Sequence, residues 1–173
     1  GQMDKVIRLI NDARADGIDV QANVYPYTRG NNNLKSIVPP WAHEGGEKRM
    51  LERLASSETR ERIIADAENG LDGWYNHYTA VGKDWSRMLI SGEHEYKGLT
   101  MDRVFALRGT ESNKLADMLD MLIEHEGGIS AVFAHHDEPD MLLALKQPWC
   151  SVGSDGSAYA VNGPLRQGNP HPR

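Results

Sequence analysis

The chain has 173 residues, 39% of them hydrophobic and 25% charged, which is the composition of an ordinary globular domain and excludes a disordered chain. Its formal charge of -6 leaves no Arg/Lys patch, so nucleic acid and an anionic membrane are excluded as main partners. Cys150 is the one cysteine, which rules out an intrachain disulfide and a cysteine-based zinc site; no apolar run approaches the ~20 residues of a membrane span, and the expectation is a cytoplasmic protein.

The elements follow in chain order. "MDKVIRLINDARA" places Met3, Val6, Ile7, Ile10 and Ala13 at helical spacing, with Gly17 as its stop. "IDVQANVY" alternates and is rich in β-branched residues, predicting a strand over 18–25 that ends at Pro26 and the polar cluster "TRGNNN". Helix, glycine and strand make the αβ step of a parallel α/β fold. The rhythm then breaks. "VPPWAHEGG" reads as a loop, "EKRMLERLAS" and "ETRERIIADAEN" as two charged helices, and "DWSRMLIS" as a strand near 86–91. Trp41, Trp74, Tyr75, Tyr78 and Trp85 crowd this stretch, as the core of a small subdomain or as a lid over a ligand.

After residue 100 the α/β rhythm returns. "TMDRVFALRG" and "ESNKLADMLDMLIEHEGG" are helical, the second with Leu115, Met118, Leu119 and Leu122 on one face. "ISAVFA" is a nearly continuous apolar run, as expected of a strand buried on both faces. "EPDMLLALKQ" is a helix with Pro139 in its first turn, and "WCSVGS" a further buried strand.

Three predicted strands end in reactive groups: Tyr25, then His135 and His136, then Asp155. Parallel α/β folds build their sites at the carboxyl ends of strands, so these ends are expected to share a mouth. Each residue has a plainer reading as well. "SDG" alone is a turn former, Asp137 caps the helix that Pro139 opens, the two histidines can belong to that helix entry, and Tyr25 and Tyr27 can simply pack. His43, His77, His94 and His125 have no partner at metal-ligand spacing.

A strand-end carboxylate can bind a divalent metal and exchange protons with its water, and an arginine such as Arg173 can hold a substrate carboxylate through two parallel donors. No HxH or HExxH occurs, so a complete metal site is not legible. A (β/α)8 barrel takes about 250 residues and eight strands, leaving a small α/β layer or the back end of a larger barrel.

Two segments, "ANVYPYTRGNNNLKSIVPPWAHEGG" and "SVGSDGSAYAVNGPLRQGNPHPR", together resemble the C-terminal half of the catalytic domain of N-acyl-D-amino-acid deacylases (D-aminoacylases) of the amidohydrolase superfamily. The resemblance implies an α/β fold: the C-terminal part of a zinc-dependent (β/α)8 barrel, with barrel segments at 1–41 and 101–173 and a small α+β insertion at 42–100. It implies that Asp155 is the metal-associated acid/base, that Tyr25 and Arg173 bind substrate, and that Asn31 stands at a pocket position where serine is common. His135, His136 and His171 are candidate site-lining residues. The family's HxH, metal cysteine and two further histidines would precede Gly1; Cys150 does not match that cysteine, and Asn23 stands where many relatives have aspartate.

The expected reaction is therefore zinc-assisted hydrolysis of a small-molecule N-acyl-D-amino acid, with this chain inactive by itself. A cyclic-amide hydrolase of the dihydroorotase or hydantoinase type is an alternative, as is a non-catalytic carboxylate- or protein-binding α/β domain. Open strand edges would favour self-association of such a fragment.

Overall fold

The computed structural model describes residues 2–156 and 162–163. The chain divides into two compact units, Gly1–Thr28 with His136–Arg173, and Arg29–His135.

The first unit begins with α1 (Gln2–Ala15). Gly17, at φ 86°, ends it: the Gly17 N–H reaches the Arg14 carbonyl and the Ile18 N–H reaches the Ala13 carbonyl, the paired bonds of a glycine-terminated helix. The chain then enters β1 (Ala22–Val24), shorter than the predicted strand over 18–25. After α7 (Glu138–Leu145) it returns as β5 (Cys150–Val152). β1 and β5 pair in parallel, with Ala22 opposite Cys150, Asn23 opposite Ser151 and Val24 opposite Val152. The indole N–H of buried Trp149 donates to the Asn11 side chain at 2.7 Å, tying the start of β5 to α1. β5 is not the buried strand that "WCSVGS" suggests: Ser151 and Val152 are exposed among the described residues.

The second unit holds an antiparallel sheet in the order β2 (Gly30–Asn33), β4 (Ser130–Phe133), β3 (Met88–Ser91). Around it lie α2 (Glu47–Ala55), α3 (Ser57–Asn69), α4 (His77–Ala80), α5 (Met101–Arg108) and α6 (Lys114–Glu124). Met88 and Ile90 of β3, and Ala131 and Phe133 of β4, are fully buried while their neighbours are half-buried, the alternation of a sheet covered on one face. α6 adds Leu115, Met118, Leu119, Met121 and Leu122 to the same core.

One expectation changes here. "ISAVFA" forms the centre of an antiparallel sheet, not a parallel strand buried on both faces, because its two edges are taken by β2 and β3. A second expectation, the 42–100 insertion, is not tested by this division: the unit that holds the sheet runs from Arg29 to His135. Of the crowded aromatics, Tyr78 and Trp85 belong to the core, their rings 4.7 Å apart, with Trp85 edge-on to Phe105 at 5.0 Å. Tyr75 is 58% exposed.

Candidate active site

Tyr25 directly follows β1, and Asp155 is the third residue after β5, so the parallel register brings both to the same end of one sheet. The ladder runs one step beyond the strands, where the Gly153 N–H donates to the Val24 carbonyl at 2.9 Å. A side chain at residue 153 would not fit, since an added Cβ would meet Asn23 Cβ at 2.8 Å. Below that contact the Ser151 hydroxyl donates to Asn23 Oδ1 at 2.5 Å. Asn23 thus crosses from β1 to β5 at the level from which the chain leaves for Asp155.

Asp155 is exposed and takes φ 53°, the left-handed region that aspartate and asparagine tolerate better than other side chains. A left-handed backbone at this position does not compete with a chemical role for the exposed carboxylate.

Around Tyr25 the side chains are held by aromatic contacts. Its ring meets Tyr27 at 5.0 Å and His136 at 5.3 Å, both edge-on. The His136 backbone N–H donates to the Thr28 carbonyl at 3.2 Å, and its Nδ1 lies 2.9 Å from the Tyr27 carbonyl. A carbonyl can only accept, so Nδ1 carries the proton and the second ring nitrogen is left as the basic one. His136 joins the tyrosine loop through these bonds.

Two of the other expected residues, Asn31 and His135, belong to the second unit. His135 belongs to the second unit, its ring 5.2 Å from His77 and 5.9 Å from Tyr75. The strand-end histidines therefore part company, one to each unit, because β4 is antiparallel and lies outside the β1–β5 sheet. Asn31 is in β2, where its Oδ1 accepts from the Ser91 hydroxyl at 2.7 Å. Asn32 Nδ2 and His77 Nε2 are 3.2 Å apart, a pairing between distant elements that no sequence spacing signals. His171 and Arg173 lie outside the described residues.

Among the described residues no three His, Cys, Asp or Glu side chains come together to hold a metal ion. Asp155 offers one carboxylate at the strand end, and one donor does not make a metal centre. The described residues do not by themselves fit a catalytic zinc.

A cleft of about 760 Å³ opens in the second unit between α3 and the start of α6. Ile64, Tyr78, Trp85 and Leu115 give it an apolar wall, and Glu61 and Lys114 are among its polar residues. The Tyr78 hydroxyl is pushed up to about 12 by burial and by the neighbouring Glu68 carboxylate, and stays neutral. None of the described residues expected at the site lines this cleft.

No family model and no curated protein matches the chain. Two solved structures do. One is a D-aminoacylase described for the functional role of its binuclear metal centre, with one-metal activation and second-metal attenuation; it is 23% identical, with a TM-score of 0.46. The other is a D-aminoacylase mutant in complex with copper chloride, 21% identical, with a TM-score of 0.47. Each match covers 90% of this chain, which spans 23% of the D-aminoacylase chain. No helix among the described residues is long and apolar enough to cross a membrane.

Proposed function

We propose that this chain carries the C-terminal part of the active site of a metal-dependent amidohydrolase that cleaves N-acyl-D-amino acids to a carboxylate and a D-amino acid. The observation that carries the reading is the placement of Tyr25 and Asp155 at the same end of two adjacent parallel strands. This is where α/β folds keep catalytic groups, and these are the two motif residues, of "YPYT" and "GSDG", that the sequence resemblance marks.

Asp155 acts as the acid/base. Its carboxylate takes a proton from the water that adds to the acyl carbonyl; when the C–N bond breaks, the same carboxyl returns the proton to the departing amine nitrogen. Exposure suits this role, because the carboxylate is reachable by substrate and water. Tyr25 donates its hydroxyl proton to the acyl oxygen or the substrate carboxylate. Arg173 pairs with the α-carboxylate through its two parallel donors. The cofactor we assign is zinc, bound with ligands beyond the described residues, and Asp155 is this segment's contribution to its surroundings.

The test is hydrolysis of N-acetyl-D-amino acids by a protein that carries this segment together with the histidine ligands, before and after chelation. Turnover that chelation abolishes and zinc restores is expected. Activity confined to cyclic imides would instead favour a hydantoinase-type enzyme, and absence of both metal and turnover a binding domain. Arg173→Ala should raise KM at least tenfold with kcat less affected; an unchanged KM would remove Arg173 from the site.

A further inference from the structure

Residues 92–99 link β3 to α5, with the Lys97 N–H donating to the His94 carbonyl at 3.1 Å and the Leu99 N–H to the Tyr96 carbonyl at 3.0 Å. The Gly98 N–H donates to the Ile90 carbonyl and the Ile90 N–H to the Leu99 carbonyl, each at 2.9 Å, while Tyr96 and Leu99 pack on the core. At the turn itself the Tyr96 N–H donates to His94 Nδ1 at 3.1 Å. A ring nitrogen that accepts a hydrogen bond carries no proton, so neutral His94 holds its proton on Nε2. That Nε2 is buried with no hydrogen-bonding partner among the described residues. The His94 ring lies against His125, just past the end of α6, with centroids 4.3 Å apart.

We propose that His94 and His125 form an acid-sensitive latch: the neutral His94 ring holds residues 92–99 against the end of α6, and its protonation releases them. A proton arriving at Nδ1 would face the Tyr96 N–H, donor against donor, and the turn's side-chain bond would be lost. The His125 Nε2 lies 3.8 Å from Glu95 Oε1, and charge on His125 opposes charge on His94. The other groups around the pair are the Glu93–Lys97 ion pair and Tyr96 on the same segment, and Glu124, held by Arg108, beside His125. Burial, then the neighbouring His125, holds His94 below the usual histidine range, against a smaller opposite pull from Glu95. The sign follows from a depressed histidine: its contribution is complete above the unfolded value of 6.5 and is lost as pH falls below it.

Amide hydrogen exchange at Tyr96, Lys97, Gly98 and Leu99, corrected for intrinsic rates, reads the latch between pH 7.5 and 5. Opening that takes up one proton becomes up to about tenfold more favourable per pH unit, so protection at these amides should fall while that of β4 holds. His94→Asn keeps a side-chain acceptor for the N–H two residues on and does not titrate, so its protection should be flat over the same range. Flat protection in the parent chain, or an equal fall in the variant, would overturn the proposal. Nitrogen-15 shifts of the parent His94 ring give a second reading independent of the variant's folding. An Nε2-protonated ring titrating below 6.5 is expected, whereas an Nδ1-protonated ring, or titration at or above 6.5, would overturn it.

Discussion

Arg108, at the end of α5, shows how a single side chain fastens the second unit. Its Nε donates to Asp117 at 2.8 Å, while its two terminal nitrogens reach the Glu124 carboxylate at 2.9 and 3.0 Å. Asp117 also accepts from the Thr110 hydroxyl at 2.5 Å, so one guanidinium bridges the turn after α5 to both ends of α6. The hydrogen bonds from Glu124 and Asp117 raise Arg108 further above its usual range, and Arg108 in turn holds Glu124 below the usual carboxylate range. Arg108→Ala leaves the 13%-exposed Asp117 side chain without its cation and should destabilise the unit by about 2 kcal/mol, read from the urea midpoint. A loss below about 0.5 kcal/mol would mean the pair behaves as an ordinary surface ion pair. The parent chain should also lose this contribution in acid. A depressed carboxylate stabilises fully above its unfolded value of 4.5, and the effect fades as pH falls through the folded one.

Among the elements, the parallel pair β1–β5 depends on a glycine. Gly153→Ala would force its methyl into Asn23 Cβ, so the strands must separate or the Ser151–Asn23 bond must break. The expected cost is about 1–3 kcal/mol, with loss of exchange protection at the Gly153 amide, which now bonds Val24. Unchanged protection there would show that the strand ends are not tightly coupled. Both strands were legible in sequence, because an alternating run stopped by Tyr25–Pro26 and a short apolar run stopped by Gly153–Asp155 carry a local signal, though the burial expected of the second was not met. β2 was not. "GNNN" has low strand propensity, and it pairs only because β4 offers it an edge. The direction of β4 was hidden for a related reason: an apolar run reports burial but not which neighbours bury it. His136 at the Tyr25 loop and His135 beside His77 follow from that direction, and so could not be read beforehand.

The two units of the molecule differ in how much they bury. Among the described residues, the main hydrophobic core cluster lies between Leu34 and Phe133. In the first unit the buried residues among those described are Ala144 and Trp149; α1 has none, and Val6, Leu9 and Ile18 are exposed. A core of that size does not offset the chain entropy of ordering two helices and two strands. Hydrogen exchange should therefore divide the chain, with amides of β4 and α6 protected to the level of global unfolding and those of β1 and β5 opening at lower cost. Equal protection in both would contradict this division. The resemblance to D-aminoacylases rests on segments 22–46 and 151–173, and both strand-end residues it marks, Tyr25 and Asp155, belong to the smaller-cored unit. The most direct measurement of the central claim is kcat for N-acetyl-D-amino acid hydrolysis in Asp155→Asn, in the protein that carries the metal ligands. Asparagine suits the left-handed backbone at 155, so folding is kept and only the proton-transfer group is lost. The kcat should fall at least about a hundredfold with KM little changed. Retention of most of the turnover would contradict the claim.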